Sequence, residues 1–429
     1  MKKFIQITLK TLLFVALLSP LSLLSCMKGA ADPDILDLEP IDRVDIPLTT
    51  KQAELSDIGN DLAFSFLSYV SNEEGPGKDI TISPLSLQFL LGLLSDGAEG
   101  QTLSQILSVL GFPEGTPREL SDGYFSTMMS YLGVLDNTVR ISLANAAFVR
   151  EGISFKPVYE QMIEKNFDAS VFTFPANNPA KGVSDLNSWC SDRTNGMIPN
   201  LIDSVDPSVL AYIVNALYFK GTWRRPFDAK LSSMKPFHRP GGKDVQVEMM
   251  SRVEATDYAK DGTCSAISLP YGNGAYNMMF ILPADPGEDI ATFLSSFKAE
   301  RWYRLLASMN SLETDVLLPK FETSYAVALK KMLRAMGMED AFSGEKADFS
   351  AMSDTPMFIS EILQKARIKI EERGTEAAAA TVAMLIGAAS PGAIYQNPVF
   401  HADRPFIYIL YEKSTSAILM CGQYCGENR

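Results

Sequence analysis

The chain is short of the residues on which most hydrolytic and metal chemistry depends. Histidine occurs twice, as His238 before Arg239-Pro240-Gly241-Gly242 and as His401 in Phe400-His401-Ala402-Asp403-Arg404. A Ser-His-Asp hydrolase would have to use one of them, yet no Gly-x-Ser-x-Gly elbow is present. There is no Cys-x-x-Cys pair and no His-Glu-x-x-His, so a metal site has no support. Gly272-Asn273-Gly274 lacks the rest of any dinucleotide or phosphate-binding loop. No enzymatic activity, cofactor or metal is therefore expected. Basic charge is also in deficit, 38 Lys and Arg against 51 Asp and Glu, which argues against nucleic acid and other polyanionic partners.

What is present suits a large folded body. Of 429 residues 46% are hydrophobic and 21% charged, ample for an extensive core, and length alone suggests two or three domains. Residues 1–25 read as a targeting segment: Met1-Lys2-Lys3 gives a positive start, and apolar runs follow to Leu24. Lys10 interrupts those runs, which weakens a transmembrane reading. Leu23-Leu24-Ser25-Cys26 resembles a bacterial lipoprotein processing site, which makes Cys26 the lipidated amino terminus; an ordinary secretory signal is the alternative. The implied location is an envelope membrane, periplasmic or at the cell surface. Losing Lys2, Lys3 and Lys10 and no acid takes the formal net charge from −13 to about −16. Residues 26–51 mix prolines and acids without periodicity and are expected to be a flexible tether; their acids lack the spacing and glycine of an EF-hand loop.

The body, residues 52–429, begins with helical patterns. Ile58, Leu62, Phe66 and Val70 form one apolar stripe, and Gly75-Pro76-Gly77 ends it. Ser83-Pro84-Leu85-Ser86 leads into a nearly all-apolar helix through Leu94, with Ser83 and Ser86 placed to cap its start. A third helix runs through Leu103, Ile106 and Leu110, and residues 185–190 suggest another, stopped by a turn at Thr194-Asn195-Gly196. Leu210 to Phe219 and Tyr276 to Leu282 read as buried strands, the first interrupted by Asn215, which needs hydrogen-bond partners. Leu329, Met332, Leu333 and Met336 mark a late helix ending at Gly337. Helices first, then mixed elements, then strands argue an α+β fold. Cys190, Cys264 and Cys421 lie among apolar neighbours and read as buried thiols; a Cys421–Cys425 bridge stays open.

The most unusual stretch is 368–404. Ala366, Ile368 and Ile370 alternate with Arg367, Lys369 and Glu371, so a half-buried strand is expected. The alternation stops at Gly374, and residues 377–390 then contain neither charge nor proline until Ser390-Pro391-Gly392 signals a turn. A breaker-free segment of this length between two strands is more often functional or disordered than a plain connection.

Together the motifs resemble the serpin family. They are Ile82-Ser83-Pro84-Leu85-Ser86, Asn187-Ser188-Trp189 with Thr194, residues 214–223 from Val214-Asn215-Ala216 to Gly221-Thr222-Trp223, Leu318-Pro319-Lys320-Phe321, Gly374-Thr375-Glu376-Ala377-Ala378-Ala379, and Phe400-His401-Ala402-Asp403-Arg404-Pro405-Phe406, in the family's order over about residues 57 to 425. The resemblance implies one domain of about nine helices and three β-sheets with an exposed reactive-centre loop, which overrides the length-based expectation. It also implies a suicide inhibitor: a protease cuts the loop, and the part before the cut inserts as a new strand into the large sheet.

That mechanism assigns tasks to named residues. Glu372, Gly374, Thr375, Glu376, Ala377, Ala378, Ala379, Ala380 and Thr381 match the hinge. As a strand, Thr375, Ala377, Ala379, Thr381 and Ala383 share one face of uniformly small side chains that can be buried without overpacking. Ser83, Ser86 and Asn215 match the shutter where the sheet parts, and Trp223 the breach where insertion starts. Gln364 stands where many relatives carry a shutter histidine, and its amide can donate and accept like a neutral imidazole. Counting fourteen residues on from Gly374, as in typical members, puts the scissile bond at Ala388–Ala389. Small residues there imply an elastase-like serine protease as partner; cysteine proteases are a second class left open. The inhibitor is expected to act as a monomer. The alternative is a non-inhibitory surface binding protein; small residues at Thr375, Ala377 and Ala379 argue against it, since non-inhibitors commonly carry bulky or charged residues there.

Overall fold

The structure, a computed structural model, describes residues 38–175, 177–205, 209–375 and 397–427. Cys26, Glu376, Ala377, Ala378, Ala379, Ala380, Thr381, Ala388 and Ala389 lie outside the described residues.

Helix α1 (Thr50–Glu74) starts from a capping box in which Thr49 and Gln52 satisfy each other's backbone N–H, and it stops at Gly75 in a positive-φ conformation. Leu62, Phe66 and Val70 of the expected stripe are buried. The expected tether is not free along its described part. Ile41 N donates to Asn137 Oδ1 (3.0 Å), Asn137 Nδ2 to Glu39 O (2.9 Å), and Ile46 N to Ser414 Oγ (3.0 Å). Residues 39–46 are therefore fastened to the body by backbone bonds, which leave no periodic signature in a sequence, and the 51/52 boundary falls inside α1.

After β1 (Ile80–Ile82), helix α2 (Pro84–Gly97) is buried on every side, as its unbroken apolar run requires. Then come α3 (Gly100–Leu110), α4 (Arg118–Leu132), β2 (Val139–Arg150), α5 (Pro157–Phe167), β3 (Ala169–Phe174), α6 (Pro179–Arg193) and β4 (Ala211–Thr222). Phe89, Phe125 and Phe167 knit α2, α4 and α5, with centroids 5.0 Å apart for Phe89–Phe125 and 5.1 Å for Phe125–Phe167. Helix α6 covers the other face of β2 to β4 through Leu186, Trp189 and Cys190.

The remaining strands are β5 (Ser233–Phe237), β6 (Val245–Lys260), β7 (Cys264–Pro270), β8 (Tyr276–Pro283), β9 (Asn310–Pro319), β10 (Phe321–Ala328), β11 (Leu363–Glu371), β12 (Gly374–Thr375), β13 (Val399–His401), β14 (Phe406–Glu412) and β15 (Ile418–Tyr424). With α7 (Ile290–Ser296), α8 (Ala299–Ser308) and α9 (Lys330–Ala335), the described residues contain nine α-helices. One sheet has the order β10-β11-β12-β4-β2-β3. The other runs β1-β15-β14-β8-β7-β6-β9-β13, with β5 on β6. Long β6 pairs with β5 and β9 and, at its far end, with β7, so the second and third expected sheets share a strand and form one array. The fold is α+β. Cys190, Cys264, Cys421 and Cys425 are all free and buried, so the bridge left open between Cys421 and Cys425 does not form.

Candidate functional site

The six-stranded sheet is parted down its middle. Among the described residues, strands β4 and β11 are joined only by two-residue β12, which pairs Gly374 with Glu371 and Thr375 with Ile370 on one side. On the other side Gly374 pairs with Thr222 and Thr375 with Gly221. Beyond these rungs lies a cavity of about 580 Å³ between residues 211–214 of β4 and 363–365 of β11, floored by Leu90 and Leu94 of α2. Among the described residues the facing edges of the two lips have no strand partner there, which makes them a template for one more strand.

The joined end is tightly built. A Cβ at Gly374 would lie 2.0 Å from Gly221 O, and its φ of +151° disfavours any side chain, so only glycine fits. The turn from Glu371 to Arg373 is held through three successive carbonyls. Trp223 Nε1 donates to Glu371 O (3.0 Å), Phe227 N to Glu372 O (2.8 Å) and Trp223 N to Arg373 O (2.8 Å). Glu372 accepts from Ser232 Oγ (2.8 Å) and pairs with Lys320 Nζ (3.3 Å), which also reaches Glu248 at 3.2 Å. Burial alone would push the Glu372 carboxyl up, but the Ser232 and Lys320 contacts outweigh it and hold it below its ordinary value. Thr375 is buried, its hydroxyl 2.6 Å from Tyr271 Oη.

The expected shutter residues divide. Ser83 Oγ lies 2.8 Å from both Leu419 O and Ser86 Oγ; with one hydroxyl proton it donates to the carbonyl and accepts from Ser86. Ser83 also caps α2, accepting from Ser86 N at 3.2 Å, so the capping role and the shutter position coincide. Gln364 clamps the Ser83 backbone at two points, Nε2 to Ser83 O (2.8 Å) and Ser83 N to Oε1 (2.9 Å). Asn215 stands apart on β4 and donates to Asn145 Oδ1 (2.7 Å), while Asn145 donates to Phe167 O (2.7 Å). The structure thus groups Ser83, Ser86 and Gln364 on one side, and Asn215 with Asn145 on the other. His238 lies 3.0 Å from Asp244 and His401 3.2 Å from Asp315, both partly exposed at the surface. Among the described residues no cluster is able to hold a metal.

Sequence reasoning missed Tyr271, Asn145 and the Glu372–Lys320 pair. Lys320 sat inside a recognised motif with no sign of its partner. Tyr271 was visible only as a large aromatic at the Pro270-Tyr271-Gly272 turn, and partners about a hundred residues away carry no local signature.

Comparison with known proteins bears on the same region. The family model described as serpin (serine protease inhibitor) matches residues 57–426. The chain is 28% identical over 380 residues to the glia-derived nexin of Rattus norvegicus, covering 86% of this chain and 92% of that one. It is 29% identical over 365 residues to the leukocyte elastase inhibitor of Xenopus laevis, covering 82% and 94%. Among solved structures it superposes on human thyroxine-binding globulin with a TM-score of 0.79 at 26% identity, covering 87% of this chain and 98% of the other.

Proposed function

The chain belongs to the serpin family, and from that membership we propose that it inhibits elastase-like serine proteases as a suicide substrate. The observation that carries this reading is β12: Gly374 and Thr375 already stand between β4 and β11, and a cavity lies between those same two strands further along. The protease serine attacks the carbonyl of Ala388, the bond to Ala389 breaks, and an ester joins inhibitor to enzyme. The freed segment then zips into the parting from Thr375 onward. Fourteen strand residues at roughly 3.3 Å each carry the tethered protease about 46 Å, away from the geometry its deacylation needs. The native chain is metastable and is held active by a kinetic barrier.

The elastase-like assignment is supported by the small residues Gly387, Ala388, Ala389 and Ser390, and by the similarity to the leukocyte elastase inhibitor. Mixing the chain with an elastase should give an SDS-stable complex and release a peptide beginning at or within two residues of Ala389. Clean cleavage without complex would refute inhibition. The same experiment decides a second reading, a surface binding protein that never traps, which draws on the similarity to a thyroxine-binding globulin solved with thyroxine. Cysteine proteases selective for small residues belong in the same panel. The reading further makes Cys26 a lipid anchor that holds the inhibitor, as a monomer, on an envelope membrane facing the periplasm or the outside. Cys26→Ala should move it from the detergent phase to the aqueous phase.

A further inference from the structure

Tyr271 belongs to none of the expected hinge, shutter or breach residues, yet its side chain touches both Trp223 of the breach and Thr375 of the hinge. Its ring stacks on Trp223 at 4.2 Å with planes 19° apart and meets Phe219 edge-on at 4.9 Å. Its hydroxyl lies 2.6 Å from Thr375 Oγ1, and both residues are buried. Burial pushes the phenol well above its ordinary range, so the hydroxyl stays neutral and able to donate.

The turn carrying Tyr271 is itself rigid. Asp136 accepts from Thr138 N (2.8 Å), Thr138 Oγ1 (2.6 Å) and Asn273 N (2.7 Å). Gly272 N donates to Thr222 O (3.0 Å), and Tyr271 N to Tyr276 O (2.9 Å). Gly221 leaves room for the ring: a Cβ there would lie 2.8 Å from Tyr271 Cδ1. A fixed donor-acceptor thus faces the first hinge side chain that enters the sheet, at a position that side chain occupies before any cleavage.

We propose that Tyr271 is a positioning residue, a latch whose hydroxyl keeps Thr375 docked between β4 and β11 in the uncut chain and so gives insertion its first completed rung. The proposal rests on the inhibitory reading for its consequence. After acylation, insertion races deacylation, and a chain whose hinge is already docked skips the nucleating step. Without the latch more protease escapes, and more inhibitor is consumed for each protease trapped.

Two variants delete the same bond while keeping shape: Tyr271→Phe retains the stacked ring, and Thr375→Val retains the β-branched side chain. Docking is read without any protease by amide hydrogen exchange in residues 221–227. Their Trp223 and Phe227 N–H groups are bonded to Arg373 O and Glu372 O. Each variant should raise that exchange by a few-fold to about tenfold, the range of one buried hydrogen bond. Each should raise the number of inhibitor molecules consumed per elastase trapped by a similar factor. The double variant should match either single, because both remove one interaction. Unchanged exchange overturns the latch whether or not the chain traps a protease. Raised exchange with unchanged consumption in a trapping chain overturns its role in partition. A wild-type chain that traps nothing refutes the inhibitory reading alone, and the exchange result then stands as the measure of the latch.

Discussion

The two ends of the parted sheet are built by opposite rules. At the joined end, glycines bring backbones together, three consecutive carbonyls are bonded, and Tyr271, Trp223 and Glu372 bury polar atoms only with partners. At the open end, β4 and β11 stand apart over an apolar floor, and residues 211–213 of β4 are only half-buried in mid-sheet. A sheet that merely lacked a strand would be loose along its length. Here closure is complete where insertion must begin and absent where it must proceed, so the joined end sets direction and rate and the open end holds the driving force.

Changes at the joined end should have the largest effects. Thr375→Arg would place a charge in a buried slot beside Tyr271, and it is expected to raise inhibitor consumption per protease trapped more than about tenfold, turning the chain into a substrate. The measurement is the ratio of SDS-stable complex to cleaved product, and an unchanged ratio would sink the insertion account. Gly374→Ala brings a Cβ onto Gly221 O in a backbone conformation that disfavours it. It should destabilise the native chain by about 2–4 kcal/mol in denaturant melts.

A third change acts on the floor of the open end. Helix α2, which supplies Leu90 and Leu94, carries Asp96 in its last turn, where it faces Asp122 of α4, with Asn166 of α5 and Arg118 nearby. Arg118 also donates to Asp96 O (3.2 Å) and Ala98 O (3.3 Å) at the end of that helix. Burial first, then the facing Asp122, push the Asp96 carboxyl up to about 8. A carboxyl that holds its proton in the fold but releases it when unfolded makes the folded state bind more protons. Stability therefore falls as pH rises from the ordinary carboxylate range to about 8, and is level above that. Asp96→Asn should flatten this slope and raise stability at pH 8 by about 2–3 kcal/mol. Melting temperatures across pH 5 to 9 that retain the wild-type slope would contradict the assignment of that slope to Asp96. The smallest effect is expected on the lip of the open end: Gln364→Ala removes both bonds to the Ser83 backbone and should cost about 1–2 kcal/mol with little pH dependence between 5 and 8.

Much of this was legible in the sequence because it rests on local pattern. The buried helix after Ser83, the end of α1 at Gly75 and the alternation of β11 follow from periodicity and glycine placement. Gly374 stood out because the alternation stopped there, and its structural cause is the approach to Gly221 O. What the sequence did not disclose was pairing at a distance. Tyr271 and Thr375 are 104 residues apart, and Asn145 and Asn215 are 70. Asn215 was expected to need partners, but nothing local said that its partner would be another asparagine rather than Ser83 or Gln364. The fastening of residues 39–46 was invisible for a related reason, since it uses backbone groups that every residue has.

The central claim is that residues beyond Thr375 fill the open end once the loop is cut. The most direct measurement is the thermal unfolding of the chain before and after a single cleavage between residues 384 and 391. Filling the parting adds on the order of ten backbone hydrogen bonds at about 1 kcal/mol each. At about 2 °C per kcal/mol, the cleaved chain should melt about 20 °C higher than the intact one. A cleaved chain that melts at or below the intact temperature would contradict the account.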